Sequence, residues 1–156
     1  MLPGRLHTKN GRIDAAPARI LADVPRLAAV LSREEQGLSL IGRRDLRTNN
    51  SWLHNSLRLV KGPNRCTLLM HPLDASARGL SDGASVRVAS RVGEVVTTVT
   101  VTDAVMPGVV SLPHGWGHDR PGAQLSVASA HAGVSLNDVT DEKRVDALSG
   151  NAVLNG

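Results

Sequence analysis

The chain contains no phenylalanine and no tyrosine, and Trp52 and Trp116 are its only tryptophans. Its apolar fraction of 41% is nevertheless ordinary for a globular domain. A hydrophobic core in this protein must therefore be built from aliphatic side chains. A length of 156 residues corresponds to about one domain.

Cys66 is the only cysteine, which excludes a disulfide within the chain and any cysteine-based zinc or iron–sulfur site. It precedes the apolar run 67–70, where a buried and inert thiol is expected.

Long apolar runs are also missing. No stretch has the apolar core of a secretory signal or the length of a membrane span. We therefore expect no membrane insertion and a cytoplasmic location.

The formal net charge is +4, and the positive charge comes mainly from arginine. Arginine forks bind phosphates and carboxylates with two hydrogen bonds, so an anionic partner is one interpretation, and a solvated basic surface is the other. Nucleic acid is not the expected partner, because two tryptophans without Phe or Tyr make a poor stacking platform.

Residues 71–88 combine agreeing local signals. Pro72 suits the first turn of a helix, Gly79 is suited to end it in a left-handed conformation, and Asp82-Gly83 indicates a tight turn. Alternating valines then predict a strand over residues 85–90. This corner unit is the best-defined local structure in the sequence.

The chain is predicted to have two parts. Residues 1–36 form a connector that is irregular through residue 17 and contains a helix at about 23–36, with Asp23 as its N-cap. Residues 37–156 form a mainly β domain with short helices. Its predicted strands and helix are the strands 37–42, 66–71, 85–90, 95–103, 109–112 and 125–128, and the helix 52–59. Short strands separated by turns favour a small closed barrel.

Two loops and one asparagine are candidates for binding. Residues 43–51 follow a strand with three arginines and two asparagines, which supply many hydrogen-bond donors. Residues 114–118 combine glycines for close backbone approach with an indole that can stack on a ring. Asn137 offers both a donor and an acceptor. The structural alternatives are a barrel corner filled by Trp116 and a turn organised by Asn137 or Asp138.

Signatures of catalysis are absent. The sequence has no phosphate-loop signature and no serine in a nucleophile-elbow context. Apart from Asp119, no third metal ligand lies near His114 and His118 in the sequence. We predict no catalytic residue and no metal site in this chain.

The sequence resembles the C-terminal dinucleotide-binding domain of the molybdopterin oxidoreductases, which include formate dehydrogenases, nitrate reductases and dimethyl sulfoxide reductase. The resemblance covers roughly residues 38–156. It rests on the ordered segments Leu40-Ile41-Gly42-Arg43-Arg44, Asn49-Asn50-Ser51-Trp52-Leu53-His54-Asn55, His71-Pro72-Leu73-Asp74-Ala75, Pro113-His114-Gly115-Trp116-Gly117 and Asn137-Asp138-Val139-Thr140.

The resemblance implies a double-psi β-barrel, preceded by the N-terminal helix, that closes over molybdopterin guanine dinucleotide. The implied cofactor-binding residues are Arg43, Arg44, Arg47, Asn49, Asn50, Ser51, His114, Gly115, Trp116, Gly117, His118 and Asn137. Alanine at Arg43, Arg47 or Asn137 is expected to leave folding nearly intact, as for surface polar residues generally.

The family's iron–sulfur and molybdenum ligands lie in domains that this sequence does not contain. The remaining domains of a parent oxidoreductase are therefore the expected partners. The isolated chain, whether or not it binds the cofactor alone, is expected to be inactive. Residues 49–53 favour a formate dehydrogenase-like parent. The alternative is a stand-alone double-psi barrel used as a protein-interaction or chaperone module.

Overall fold

The computed structural model describes residues 4–32 and 37–153. The chain divides into two compact units, residues 1–35 with 147–150 and residues 36–146 with 151–156. The assignment of a connector and a barrel domain stays a prediction.

The first unit contains two short helices, α1 (Ala18–Leu21) and α2 (Val24–Leu31). The prediction of a helix over 23–36 is wrong in extent where it can be compared, because α2 ends at Leu31, and residues 33–36 lie outside the described residues. Asp23 is the N-cap residue of α2, as predicted, but its side chain does not cap the helix. Its carboxylate makes no cap hydrogen bond and accepts instead from the Arg26 guanidinium at 2.8 and 2.6 Å.

The second unit is built on a mixed five-stranded sheet with a few short helices. Its strands are β1 (Ser39–Arg43), β2 (Thr67–Met70), β3 (Ser85–Ala89), β4 (Glu94–Val101) and β5 (Val109–Pro113). The order across the sheet is β1-β5-β2-β4-β3. The predicted mainly β character is confirmed, and five of the six predicted strands are present.

The sheet is interlocked, because strands that are distant in sequence pair with one another. β1 runs parallel to β5, β2 runs parallel to β4, and β2 and β5 meet antiparallel at the centre. Neither β1 nor β2 therefore pairs with the strand that follows it in sequence. Among the described residues no ladder joins the edge strands β3 and β1.

The corner unit forms as predicted. Helix α4 (Pro72–Ala77) begins with a proline in its first turn, and the His71 Nδ1 accepts a hydrogen bond from the Leu73 N–H at 3.2 Å. Gly79 (φ 64°) ends it and Gly83 (φ 80°) turns the chain into β3. Both glycines have the left-handed backbone that the sequence predicted.

Two predicted elements differ from the structure. Residues 125–128 form no strand, since helix α5 (Ser126–Ala130) begins there, with the Asn55 side-chain oxygen accepting from the Val127 and Ala128 N–H groups. This partner lies more than seventy positions away, so no local pattern reveals it. The predicted helix over 52–59 is reduced to α3 (Leu57–Val60), preceded by turns.

The core is aliphatic, as the composition requires. It packs Leu40, Leu68, Met70, Val86, Val95, Val99, Val110, Leu112, Leu136 and Val139 against one another. In the described part of the chain, no helix is long and apolar enough to cross a membrane.

Candidate functional site

Three segments of the second unit meet around an open cleft of about 510 Å³. Its lining is Ser51, His114, Gly115, Trp116, Gly117, His118, Arg120, Ser135, Leu136, Asn137 and Asp138. Seven of the twelve residues predicted for cofactor binding are in this set. The structure thus brings together the end of the 43–51 loop, the whole 114–118 loop and Asn137.

Gly115 joins the first two segments. It has a φ of +91°, and a Cβ at this position would lie 1.6 Å from the Asn50 carbonyl oxygen. Asn49 and Asn50 themselves have positive φ angles of 43° and 63°, which asparagine tolerates better than most residues. The two loops therefore touch backbone to backbone, and only glycine permits this contact.

Gly117 joins the second segment to the third. Its φ is +94°, and a Cβ there would lie 2.6 Å from the Ser135 Cβ. The Gly117 N–H donates to the Ala132 carbonyl at 2.7 Å. Gly133 is similarly close to Trp116, since a Cβ at 133 would lie 2.6 Å from the indole Cε3.

Trp116 forms the inner wall of the cleft. It is 8% exposed, and its ring meets the His54 ring edge-on with 4.4 Å between centroids. This burial favours the structural interpretation of Trp116, in which the indole fills a corner of the fold. The stacking of this indole on a ligand ring stays a prediction.

Arg43 is bound within the fold. Its guanidinium donates to the Ser111 carbonyl, to the Thr67 carbonyl at 2.6 Å and to the Arg65 carbonyl at 3.2 Å. Burial lowers the pKa of this guanidinium from its ordinary value. The side chain thus connects the end of β1 to the middle of β5 and to the start of β2, a role that the sequence did not predict.

Three further predicted residues do not line the cleft. Arg44, Arg47 and Asn49 are all exposed. Arg47 donates to the Lys61 carbonyl at 3.4 Å. Their assignment to the cofactor stays a prediction.

Arg120 and Asp138 were missed by the sequence analysis. The Arg120 guanidinium donates to both carboxylate oxygens of Asp138 across the cleft. Arg120 lies in a polar, proline-flanked stretch with no distinctive motif. Asp138 directly follows the predicted Asn137, and this adjacency was the available signal.

Unpaired buried polar atoms gather beside the 114–118 loop. Within the described residues, the buried side-chain nitrogen and oxygen atoms without a hydrogen-bond partner are the Asn50 Oδ1, the His54 Nδ1 and the Trp116 Nε1. Such atoms are costly in a folded protein unless a ligand or water satisfies them. Asn50 contacts Gly115, and His54 contacts Trp116, so all three are associated with one wall of the cleft.

The described residues include no cluster of three or more His, Cys, Asp or Glu side chains that could hold a metal ion. Cys66 is 1% exposed, as predicted, and burial raises the pKa of its thiol. A neutral buried thiol is a poor nucleophile and a poor metal ligand.

The cleft is therefore bounded by backbone segments in close approach, by polar side chains and by one arginine–carboxylate pair. A family model described as Molydopterin dinucleotide binding domain matches residues 38–156. The chain belongs to this family.

The curated proteins that are similar to this chain include two reductases. Over 86 residues it is 43% identical to the dimethyl sulfoxide/trimethylamine N-oxide reductase of Rhodobacter capsulatus, covering 49% of this chain and 10% of that protein. Over 117 residues it is 35% identical to a tetrathionate reductase polypeptide of Salmonella typhimurium, covering 64% of this chain and 11% of that polypeptide. The chain therefore spans about a tenth of the length of these relatives.

A solved structure has the same fold. Acetylene hydratase from Pelobacter acetylenicus superposes with a TM-score of 0.63 at 22% identity, covering 93% of this chain and 20% of that enzyme.

Proposed function

We propose that the cleft between the 49–51, 114–118 and 135–138 segments binds the dinucleotide part of molybdopterin guanine dinucleotide, and that the chain serves a larger molybdenum oxidoreductase. The observation that carries the proposal is the meeting of these three segments through Gly115 and Gly117. The double-psi barrel is part of the same proposal, and the interlocked pairing of β1 with β5 and of β2 with β4 supports it.

The side chains around the cleft suit the group. Ser51, His114 and Asn137 supply hydrogen-bonding groups for ribose and base edges. Arg120 supplies a guanidinium that phosphate oxygens can share with Asp138. The unpaired Asn50 Oδ1 is an acceptor that an N–H of a base or pterin would satisfy.

The division of chemistry follows from this arrangement. The bound cofactor supplies the redox chemistry. The residues of this chain bind and orient its dinucleotide, and the remaining domains of the parent complete the pocket. The isolated chain is expected to be catalytically inactive. The cytoplasmic location stays a prediction.

For the parent enzyme, we favour a sulfoxide or N-oxide reductase over the formate dehydrogenase expected from the sequence. The support is the activity named for the relatives described above, which are reductases of dimethyl sulfoxide, trimethylamine N-oxide and tetrathionate. Assays of the full-length parent with these three oxidants and with formate would distinguish the two types.

The test of cofactor binding is an NMR titration of the chain with GDP. Parallel titrations with CDP and ADP measure the preference for the base. We expect amide shifts concentrated at residues 49–51, 114–118 and 135–138, and tighter binding of GDP than of CDP. Arg120→Gln should weaken binding by about 10- to 150-fold, since a charged hydrogen bond contributes roughly 1.5–3 kcal/mol.

Arg87→Gln is the matched control, because Arg87 is an exposed arginine of β3 that pairs with Glu94 at 2.9 Å and does not line the cleft. It should leave GDP binding unchanged. Shifts scattered over the arginine-rich surface and abolished by salt would instead indicate nonspecific anion binding. An absence of shifts would favour the protein-interaction module.

A further inference from the structure

His54 is a fully buried histidine directly behind the cleft. Its side chain has 0% exposure, and it does not line the cleft itself. Histidine is seldom buried completely unless its ring nitrogens have defined partners. Contact with the cofactor therefore does not explain why a histidine is buried at this position.

The hydrogen bonds of His54 define its tautomer. The Nε2 lies 2.9 Å from the His131 carbonyl oxygen, which can only accept, so the Nε2 carries a proton. The Nδ1 is buried and has no partner among the described residues. A neutral ring satisfies the first contact. Protonation of the Nδ1 would add a second N–H that has no acceptor, and a positive charge that has no counter-ion, in the described part of the chain.

The ring of His54 supports the 114–118 loop at two points. It meets the Trp116 indole edge-on at 4.4 Å, and it lies at 4.3 Å and 33° against the His118 imidazole. The His118 Nε2 in turn donates to the Gly115 carbonyl at 2.9 Å. His54 thus contacts two of the side chains that form the cleft wall, and through His118 it is linked to a third residue of that wall.

We propose that His54 is a positioning residue of the cofactor cleft, whose neutral imidazole holds Trp116 and His118 in place and whose protonation in mild acid releases them. The proposal rests on the proposed function, because it assigns regulation to the same cleft.

The surroundings of His54 oppose its positive charge. The titratable groups that act on it electrostatically are His118, His131 and Arg65, and all three are basic. Arg65 is itself paired with Asp45 at 3.1 Å. Burial is the largest cause of a lowered His54 pKa, and these neighbours lower it further against the hydrogen bond to the His131 carbonyl. The ring is therefore neutral at neutral pH and gains its charge below the usual histidine range.

The composition of the chain supplies a clean optical probe. Trp52 is 83% exposed, and the chain contains no tyrosine, so Trp52→Leu leaves Trp116 as the only intrinsic fluorophore. We would follow Trp116 emission in this background from about pH 8 to about pH 4.5, with far-UV circular dichroism as the measure of folding. We expect one transition with a midpoint below about 6.5, the ordinary histidine value, while the dichroism is unchanged.

Substitutions identify the group that titrates. His54→Gln in the Trp52→Leu background should abolish the transition, because glutamine can donate to the His131 carbonyl but cannot be protonated. His131→Gln is the matched control, since it keeps the accepting carbonyl, and it should retain the transition. An unchanged transition in His54→Gln would overturn the proposal. Constant Trp116 emission across the pH range in the folded Trp52→Leu protein would overturn it as well.

Imidazole NMR of the unmutated chain provides a second measurement that does not depend on the folding of a variant. The His54 ring should remain in the Nε2–H tautomer at neutral pH, and its titration should coincide with changes at His118 and Trp116. A His54 ring that titrates without affecting either neighbour would also overturn the proposal.

Binding of GDP connects the switch to the cleft. We expect acidification to weaken GDP binding more in the unmutated chain than in His54→Gln, a comparison that removes the effect of charge lost by GDP itself. If GDP affinity depended on pH equally in the two proteins, protonation of His54 would not affect the cleft. Failure of GDP to bind at any pH would contradict the proposed function, while the Trp116 titration would still test the positioning by His54.

Discussion

The glycines of the corner unit and those of the cleft all have positive φ angles, but for different reasons. Gly79 and Gly83 have φ angles of +64° and +80°, and nothing lies within 4 Å of a Cβ built on either. Gly115 and Gly117 have φ angles of +91° and +94°, and a Cβ on either would collide with a distant segment. In the corner unit the demand for glycine is local, whereas in the cleft it comes from the tertiary fold.

This difference separates a structural turn from a candidate binding site. A turn needs a positive φ and leaves the space around it free. A cleft whose walls are held together by backbone contact loses its shape when a single methyl group is added. Four substitutions or conditions test this distinction, and they are ordered from the largest expected effect to the smallest.

Gly115→Ala should cause the largest loss of stability. A left-handed alanine costs about 1–2 kcal/mol, and overpacking against the Asn50 carbonyl adds about 1–3 kcal/mol. Gly79→Ala carries only the first cost, because the space around it is open. Urea unfolding of both variants measures the difference. Equal losses would show that the contact between the two loops does not constrain the fold.

Arg43→Ala should be the next most damaging change. It removes a guanidinium that donates to three backbone carbonyls, and charged hydrogen bonds contribute roughly 1.5–3 kcal/mol. These contacts replace the sequence-based expectation that this variant folds almost normally with a prediction of clear destabilisation. Arg44→Ala is the matched control, since Arg44 is exposed and should change stability by less than about 0.5 kcal/mol. If thermal or urea unfolding gave the same free energy of unfolding for both variants, the contacts of Arg43 would not stabilise the fold.

Acid should weaken the cleft before it weakens the corner unit. Because burial lowers the His54 pKa in the folded chain, the unfolded chain binds a proton there at a higher pH than the folded chain does. The contribution of His54 to the free energy of unfolding therefore has its largest value above about pH 6.5. It decreases as the pH drops toward the pKa of His54 in the folded chain. Hydrogen exchange at about pH 7 and about pH 5 should show earlier loss of protection at residues 114–118 than at 72–77. Loss in the reverse order would contradict this prediction.

Asn137→Ala should have the smallest effect on stability. Its side chain is exposed at the edge of the cleft, so the free energy of unfolding should change by less than about 0.5 kcal/mol. Its effect should appear instead in GDP affinity, measured by the same NMR titration. A large loss of stability with normal GDP binding would favour the alternative in which Asn137 only organises a turn.

The sequence was most informative where neighbouring residues decide the structure. Pro72, Gly79 and Gly83 predicted the corner unit, and alternating valines predicted β3 and β4. It misled where a distant partner decides. Residues 125–128 look like a short strand, but the Asn55 side chain caps a helix there.

The candidate site shows the same limit. Its loops were predicted from polar and glycine-rich composition, and the cleft brings the 114–118 loop, Ser51 and Asn137 together. Composition could not reveal that Arg43, in β1, donates to backbone carbonyls of β2 and β5 or that Arg120 pairs with Asp138. Both facts depend on contacts between residues far apart in sequence.

The interlocked sheet has a consequence for how the chain acquires its structure during synthesis. Among the described residues, β1 pairs only with β5. Ser39 therefore meets its partner Val109 after β2, β3 and β4 have been synthesised. Until then β1 is an exposed edge, and pairing over long sequence separations is slow. A ribosome-bound chain that stops before β5 should therefore be prone to aggregation, and release of residues 109–113 should be the event that commits this domain to folding.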